Sequence, residues 1–594
     1  MRDRVRDAAS MLAVGWRIDR RLTVSLLSMT ALTNLTMTVR ALWFALLIDA
    51  VVDGRITAAT LWAVVLAVSD ATRSWALVGS QMDRQDLHDR ALQHFQEESM
   101  RLAGGLSGIE HHERDEHVDR LASYRQSFGA LSAALGTVAE TIANLVRAAV
   151  TLTLLATLHP ALILLPVFAV PSLVAARRAE RVRQTANLES INPGRQGEHL
   201  YNLIVDPAPA KEVKVLRVGP ELRSRHAKLW ENVTAAQGAA QRQAASISFA
   251  GWIIFAAGYI GALVLLVTRA AAGEATTGDV LLGVVLVGQI NAQVATGANL
   301  IGGLTQAGTA ISHRRWLLDY AAEREMPPAT TTCPERLAEG IAFHKVSFRY
   351  PGTDSDVLQD VSITLPAGAV VAVVGENGAG KTTLVKLLAR LYEPTTGTIT
   401  VDGANLRDVD VSDWRRHLTA AFQDFTRYHF TAHDVVGVGD VDHHRDLQRV
   451  TAALDRAAAS DVPGALPGGL DTQLGIPMGG IEISGGQWQK LALGRTMMRP
   501  QPLLLVLDEP TAALDPPTEH QLFDRYAQAA RSAASSNGAV TVLVSHRFST
   551  VRTADLIIVI DGGRITQTGT HDELMAQPQG LYAQLYGIQA AAYQ

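Results

Sequence analysis

The stretch VVAVVGENGAGKTTLVKLLARL, residues 370–391, decides the fold of the second half of this chain. It opens with an unbroken apolar run, which is typical of a buried strand in a parallel sheet. GENGAGKTT, residues 375–383, then matches the spacing G-x-x-x-x-G-K-[ST], and a helical segment follows. In such a loop, glycines let backbone N–H groups wrap a phosphate, a lysine offsets its charge, and a hydroxyl suits Mg²⁺. The stretch therefore predicts a nucleotide site.

Two further apolar runs predict neighbouring strands of the same sheet, LLLVLDEP (503–510) and TVLVSH (541–546). Asp508 ends the first run, where a carboxylate associated with magnesium is needed, and Glu509 one step further can polarise an attacking water. His546 follows the second run, at the sheet edge where ligands collect in open parallel sheets. A lone histidine is more often structural, but this position favours a functional one.

A second anion site is predicted at ISGGQWQKLALGRT, residues 483–496. Here a Ser-Gly-Gly triplet stands directly before a helical run. Exposed backbone N–H groups, a hydroxyl and the positive end of a helix dipole together suit a negatively charged group. The chain thus carries two separate phosphate-type sites.

The first half of the chain is different in texture, because it contains long apolar stretches. Several match the roughly 20 residues that a hydrocarbon core demands of a spanning helix. The stretches lie near 22–52, 57–80, 130–158, 161–176, 245–268 and 278–306. We therefore predict six membrane spans.

Arginine placement predicts the orientation of these spans. Arginines cluster before the first span and after the fourth, and the short connections hold almost none. By the positive-inside rule, both termini and both long connections, 81–129 and 177–244, face the cytoplasm. Turns near 108–124 and 205–219 could form short coupling helices that contact a cytoplasmic domain. A large soluble helical domain, the alternative, does not account for this charge asymmetry.

Composition agrees with a membrane protein of more than one domain. At 594 residues the chain is too long for one core, and 47% hydrophobic against 19% charged residues is a high apolar balance. The net charge of -5 gives no support to nucleic-acid binding. The single cysteine, Cys333, excludes an intrachain disulfide. The predicted division is an N-terminal interfacial helix 1–21, a six-helix transmembrane domain 22–324, a linker 325–334 and an ATP-binding domain 335–594.

Taken in order, GENGAGKTT, FQDF, ISGGQWQK, LLLVLDEP, TAALD and VSH resemble the ATP-binding cassette (ABC) transporters. With six spans placed before one cassette, the whole chain resembles a half-size ABC exporter. The resemblance implies an α-helical six-span transmembrane domain of ABC exporter type, joined to an α/β P-loop NTPase nucleotide-binding domain. It also implies an ATP hydrolase coupled to transport, with ATP and Mg²⁺ as cofactors.

The resemblance also implies roles for particular residues. Tyr350 would stack on adenine, and Asp515 would cross a dimer interface. Glu509, His546 and Gln423 would be catalytic, with Gln423 and His546 sensing or holding the γ-phosphate. Magnesium would be held by Thr382, Gln423 and Asp508. The remaining ATP contacts would be Gly375, Glu376, Asn377, Gly378, Ala379, Gly380, Lys381, Thr382, Thr383, Ser484, Gly485, Gly486 and Gln487.

In that family the Ser-Gly-Gly site clamps the γ-phosphate of ATP bound by the other cassette, so the resemblance implies a dimer. A homodimer with two active sites is predicted, and a heterodimer stays open. The predicted location is the inner (plasma) membrane, multi-pass, with the N-terminus and the ATP-binding domain cytoplasmic. Besides the second copy, the expected partners are the bilayer and a peptide or small amphipathic cargo, with no nucleic acid.

Cargo is predicted from local resemblance. FQDFTRYHFTAHDVVGVGD (422–440), GGIEISGGQWQK (479–490) and KEVKVLRVG (211–219) resemble exporters of lantibiotics and related modified peptides. The alternatives are a multidrug or lipid exporter or flippase, a fused-domain siderophore importer, and a non-transporting ABC ATPase, against which the six spans argue. Ionisable residues inside the spans either contact cargo or pair between helices. They are Arg40, Asp70, Arg73, Glu140 and Arg147.

Overall fold

The computed structural model describes residues 2–324, 329–508, 528, 531, 534–545 and 551–592. The chain divides into two compact units. Unit 1 comprises residues 1–104 and 119–320, and unit 2 comprises residues 105–118 and 321–594. The first predicted cytoplasmic turn thus groups mainly with the C-terminal unit.

The described part of the first 323 residues is helical. In chain order the helices are α1 Arg2–Ile18, α2 Arg20–Val52, α3 Ile56–Gly105, α4 Glu110–Glu113, α5 Asp115–Gln126, α6 Phe128–Leu158, α7 Leu165–Glu189, α8 Ile191–Val205, α9 Ala210–Val215, α10 Gly219–Ala271 and α11 Thr277–Glu323. A 3₁₀ turn, Pro160–Leu164, leads into α7.

In the part of the chain that the structure describes, six helical segments are long and apolar enough to cross a membrane, as the sequence predicts. They are α2, α3, α6, the segment Pro160–Glu189, α10 and α11. Helices α3 and α10 have 50 and 53 residues, so at 1.5 Å per residue each is roughly 75–80 Å long. A hydrocarbon core is only about 30 Å thick. These helices therefore continue well beyond their apolar stretches.

Charged side chains inside the spans form pairs between helices. Arg40 of α2 bonds Asp70 of α3 at 2.9 Å, and Arg84 of α3 bonds Glu140 of α6 at 2.8 Å. Arg147 is buried and donates to Asn144 Oδ1 at 3.1 Å. The carboxylates of Asp70 and Glu140 are thus paired between helices, and their contact with cargo stays a prediction.

The described residues of unit 2 form two sheets. The strands are β1 Gly340–Phe348, β2 Leu358–Pro366, β3 Val370–Val374, β4 Thr396–Val401, β5 Ala404–Asn405, β6 Leu418–Ala421, β7 Leu504–Asp508, β8 Val540–Val544, β9 Leu556–Asp561 and β10 Arg564–Gly569. One sheet has the order β2-β1-β4-β5 and is antiparallel. The other has the order β10-β9-β3-β8-β7-β6, with parallel pairs from β9 to β6.

The described helices of unit 2 complete this α/β fold. They are α12 Lys381–Leu388, α13 Val411–Arg416, α14 Ala432–Gly437, α15 Leu447–Arg456, α16 Gly485–Thr496, α17 His571–Met575 and α18 Leu581–Ala592. One apolar core lies between the two sheets and α12, and a second joins α14, α15 and α16 to one side of the parallel sheet. The central strands β7 and β8 are buried along their whole length, as their apolar runs predict.

The predicted linker is described from residue 329 onward and is part of unit 2. Thr331 forms a bridge with Val409, and the Cys333 N–H donates to Asp413 Oδ2 at 3.1 Å. The Cys333 side chain is 9% exposed. Burial, reinforced by the Asp413 carboxylate, raises the pKa of this thiol to about 12.

Cys333 is therefore expected to resist thiol reagents in the native protein. Relative to a cysteine at the ordinary value of 9.0, a pKa of about 12 lowers the thiolate population about 1,000-fold near neutral pH, and the thiolate is the reactive form. Maleimide labelling should be slow before denaturation and complete after it. A chain with Cys333→Ala and Thr332→Cys, which moves the thiol to an exposed neighbour, should label quickly. Fast native labelling of Cys333 would contradict its burial.

Candidate nucleotide site

The predicted phosphate loop joins β3 to α12. Gly378 and Gly380 have φ of 82° and 109°, a region that residues with a side chain rarely adopt. A Cβ on Gly380 would lie 2.7 Å from Leu358 Cδ2 and 3.1 Å from the Val357 carbonyl oxygen, so a side chain here would also force its neighbours to shift. The loop backbone at Glu376, Asn377 and Gly378 is exposed, and Ala379 is buried beneath it. The glycines thus allow a tightly turned loop whose backbone is exposed at residues 376–378.

Lys381 is the first residue of α12, and its ammonium group lies inside the loop. Its Nζ donates to the carbonyl oxygens of Gly375 and Glu376, both at 2.9 Å, and the side chain is buried. The next residue, Thr382, is exposed, whereas Thr383 is buried. A helix N-terminus offers N–H groups without intrahelical partners. A cation, a hydroxyl and backbone donors are therefore gathered in this loop and at the start of α12.

Two other predicted residues follow parallel strands of the same sheet. Asp508 is the last residue of β7 and is 3% exposed. Gln423 lies two residues after β6 and is exposed, beside a cavity of about 260 Å³. Because β6, β7 and β3 run parallel, their carboxyl ends lie at one edge of the sheet. Gln423 and Asp508 therefore share that edge with the phosphate loop.

The Ser-Gly-Gly triplet begins α16, as predicted. Ser484 is the N-cap: its Oγ accepts from the Gln487 N–H at 3.2 Å, and the Gln487 Oε1 accepts from the Ser484 N–H at 2.9 Å. These two bonds form a reciprocal capping box, in which the Gln487 side chain is hydrogen-bonded to the backbone of its own chain. Ser484 and Gly485 are exposed, and the Ser484 hydroxyl proton is not used by the cap. The tip can still donate to an anion.

Packing holds this tip in the second apolar core of unit 2. Ile483, just before the N-cap, is 8% exposed and belongs to that core, as does Trp488. The Trp488 Nε1 also donates to Glu482 Oε1 at 3.1 Å. The residue before the triplet therefore has to be apolar and of similar volume, which isoleucine and leucine both satisfy.

Tyr350, predicted to stack on adenine, lies in a cluster of aromatic rings after β1. Its ring contacts Phe348 and Tyr392 edge-to-face, at centroid distances of 4.9 and 5.3 Å. Its hydroxyl lies 3.1 Å from Thr383 Oγ1, next to the phosphate loop. A ring beside the loop is in position to contact a base whose phosphates the loop holds.

Sequence reasoning missed three polar side chains that lie behind this ring. Lys386 Nζ is 5.3 Å from the centre of the Tyr350 ring and 2.6 Å from Glu113 Oε1. The Tyr392 hydroxyl donates to Glu113 Oε2 at 2.6 Å. Burial lowers the pKa of Lys386, but the Glu113 carboxylate and the Tyr350 hydroxyl raise it above its ordinary value overall. Burial and the bond to Glu113 raise the pKa of Tyr392.

The rarity of lysine in this chain was a signal for Lys386, but nothing in the sequence links it to Glu113. Three predicted site residues, Glu509, Asp515 and His546, lie outside the described residues. Their roles stay predictions.

Comparison with solved structures places the fold. The chain resembles a bacterial Atm1-family ABC exporter with ATP bound, with a TM-score of 0.79 and 23% identity over 96% of this chain and 98% of that one. The chain therefore has the ABC exporter fold, a helical domain with six candidate spans and a P-loop nucleotide-binding domain. Residues 358–512 match the ABC transporter family model, which covers the phosphate loop and the Ser-Gly-Gly tip.

Curated relatives match over shorter regions. A lipid A-core flippase of Thiobacillus denitrificans is 38% identical over 285 residues, 48% of this chain and 47% of that protein. Another from Pseudomonas fluorescens is 41% identical over 42% of this chain and 40% of its own length. The subtilin transport ATP-binding protein of Bacillus subtilis is 37% identical over 40% of this chain and 37% of its own length. The chain spans less than half the length of the curated relatives it matches.

Proposed function

We propose that two copies of this chain form an ATP-driven transporter that moves a lipid across the membrane. The observation that carries the proposal is the combination, in one chain, of a phosphate loop, a separate Ser-Gly-Gly helix start and six helices able to span a membrane. The first two features suit a nucleotide, and the third suits a membrane gate. The proposed location is the inner membrane, with the nucleotide domain and N-terminus in the cytoplasm.

The loop residues and the neighbouring sheet edge fit a magnesium nucleotide. Lys381 would contact the β- and γ-phosphates, and Tyr350 would contact the base. Mg²⁺ prefers oxygen ligands and usually keeps substrate phosphates among them. The hydroxyl of Thr382, the carboxylate of Asp508 and the amide oxygen of Gln423 are such ligands, and they would hold it. When bound, Mg²⁺ neutralises phosphate charge during phosphoryl transfer.

A second copy completes the site. Ile483, just before the Ser484 tip, and Ala379 of the phosphate loop belong to different apolar cores, and the tip of a facing copy would close over the γ-phosphate. ATP that contacts both surfaces favours the closed pair, because a ligand shifts an equilibrium toward the state it binds better. Hydrolysis removes that bridge and lets the pair reopen, and the reopening would drive the spans.

Lipid cargo is supported by relatives and by the charge pattern of the spans. Relatives named as lipid A-core flippases match at 38% and 41% identity, which favours the flippase alternative over the peptide prediction. Arg40 and Asp70 are about half exposed, at 47% and 49%, although they lie in apolar spans. A charged pair in hydrocarbon is costly, so such groups usually face a polar pathway. An amphipathic cargo with a polar head suits a pathway lined by such a charged pair.

Peptide export is the second candidate, and a specific relative favours it. The subtilin transport ATP-binding protein is 37% identical over 236 residues. Because that match is also partial, it supports the nucleotide domain as much as the cargo. Transport of a lipid and transport of a peptide are therefore tested side by side in the vesicle experiment described next.

Reconstitution in vesicles tests the proposal. Purified protein is placed in liposomes that contain a head-labelled fluorescent lipid, and chemical quenching from outside measures its transfer between leaflets. We expect transfer that requires ATP and Mg²⁺. In a parallel arm, a labelled cationic peptide is offered to inside-out vesicles. ATP-dependent peptide accumulation without lipid transfer would overturn the lipid proposal, and loss of preloaded cargo would indicate import.

A further inference from the structure

The first cytoplasmic turn belongs to the compact unit that holds the nucleotide site. We call residues 105–118 the first coupling segment; it lies in unit 2 with residues 321–594. The backbone of the segment is hydrogen-bonded to the rest of that unit, because the Ile109 N–H donates to the Leu391 carbonyl oxygen at 3.3 Å. Glu110 accepts from Arg324 at 2.9 Å. The segment is therefore seated on the nucleotide domain near the end of α12.

Glu113 is the carboxylate of the segment that contacts the side chains around the predicted base site. Glu113 accepts from Lys386 Nζ with one oxygen and from the Tyr392 hydroxyl with the other, both at 2.6 Å. Two short bonds to one carboxylate fix its position, and hydrogen bonds to a charged group are the stronger kind. Glu113 thereby sets where the lysine and the tyrosine lie.

Those two side chains in turn contact Tyr350. Lys386 Nζ is 5.3 Å from the Tyr350 ring centre, within the range of a cation–π contact. Tyr392 meets the same ring edge-to-face, with planes at 86°. Lys386 is about one turn beyond Lys381 on α12, and the Tyr350 hydroxyl lies 3.1 Å from Thr383 Oγ1, so the chain of contacts reaches the end of the phosphate-loop motif. Loss of Glu113 would free the lysine and tyrosine, and with them the ring.

We propose that Glu113 is a positioning residue for the nucleotide base: through Lys386 and Tyr392 it holds the Tyr350 ring where the base binds. The inference rests on the proposed nucleotide site. It makes base affinity depend on how the first coupling segment is seated. Because coupling between two sites is reciprocal, a bound base stabilises the seating of the segment by the same factor.

The test separates base binding from phosphate binding. ATP uses both the ring and the loop, whereas inorganic triphosphate uses the loop alone. In the full-length reconstituted protein, Glu113→Gln should raise the KM for ATP about 3- to 10-fold, the range of a lost contact of this kind. The inhibition constant of triphosphate against ATP and the value of kcat should stay unchanged. Glu116→Gln, the same substitution on a half-exposed carboxylate of the segment, is the matched control.

A second pair of variants covers the lysine. Lys386→Met removes the charge and should reproduce the effect of Glu113→Gln, whereas Lys386→Arg keeps the charge and should restore most of the ATP affinity. An equal rise in the KM for ATP and in the inhibition constant of triphosphate would mean that the whole domain had loosened, and it would overturn the inference. No change in either constant would also overturn it. If the unaltered protein bound neither ATP nor triphosphate, the proposed nucleotide site itself would fail.

Discussion

Replacing Lys381 with alanine is expected to weaken ATP binding roughly 10- to 100-fold. In the structure, this ammonium group is buried inside the loop and is held by two loop carbonyl oxygens at 2.9 Å. A phosphate entering the loop would meet that charge directly. A hydrogen bond to a charged group is worth about 1.5–3 kcal/mol, which corresponds to this range of affinity. Binding of a fluorescent ATP analogue to the purified protein measures the change.

A second lysine variant tells a local effect from a general loss of charge. Lys228→Ala changes an exposed lysine of α10 and should leave ATP affinity as it is. Thermal unfolding of both variants should remain near that of the unaltered protein, because the bonds that Lys381 Nζ donates to Gly375 and Glu376 lie within the loop itself. Unchanged nucleotide affinity in the Lys381 variant would contradict the phosphate contact.

Replacing Glu509 with glutamine is expected to reduce ATP turnover about 100-fold or more while ATP still binds. In the sequence Glu509 directly follows Asp508, which is the buried last residue of β7. A positioned general base contributes about 10²–10⁴ in rate. Since glutamine keeps the shape and loses the base, the ATP-bound dimer should persist. The rate of phosphate release measures ATP turnover, and size-exclusion chromatography in the presence of ATP measures the fraction of protein in the dimer.

The matched control for this variant is Glu335→Gln, an exposed carboxylate of the same domain, which should hydrolyse ATP at the normal rate. If Glu509→Gln kept normal turnover, the residue would lose its role as base. If turnover fell but no ATP-stabilised dimer formed, the idea that ATP joins two copies would be in doubt. The two measurements therefore test the chemistry and the dimer separately.

Much of the fold was predictable because it is encoded in contiguous stretches. An apolar run of five residues followed by GENGAGKTT specifies a strand, a loop and a helix, and the structure has β3, the loop and α12 there. The six apolar stretches likewise correspond to six candidate spans. The bounds differed where local signals were weak: the fourth span begins with a 3₁₀ turn at Pro160 and continues through Pro171.

Most polar partners were not predictable, since they depend on packing between distant parts of the chain. Gln487, predicted to contact ATP, is the exception, because its capping box with Ser484 joins residues only three positions apart. Arg84 and Glu140 pair across two helices although they are 56 positions apart. Side-chain partners of this kind leave no periodicity or spacing in the sequence, because many faces of a helix can meet many neighbours.

By itself the sequence determined which local elements form and which phosphate chemistry they offer, because strand, loop, helix and span are set by short-range apolar patterns and glycine placement. Only the tertiary structure decided what those elements meet. Glu113 and Lys386 are 273 positions apart, yet Glu113 Oε1 and Lys386 Nζ are 2.6 Å apart because the first coupling segment packs with the rest of unit 2. The physical reason is that such a contact is specified by the packing of whole elements, which brings together residues that no local pattern connects.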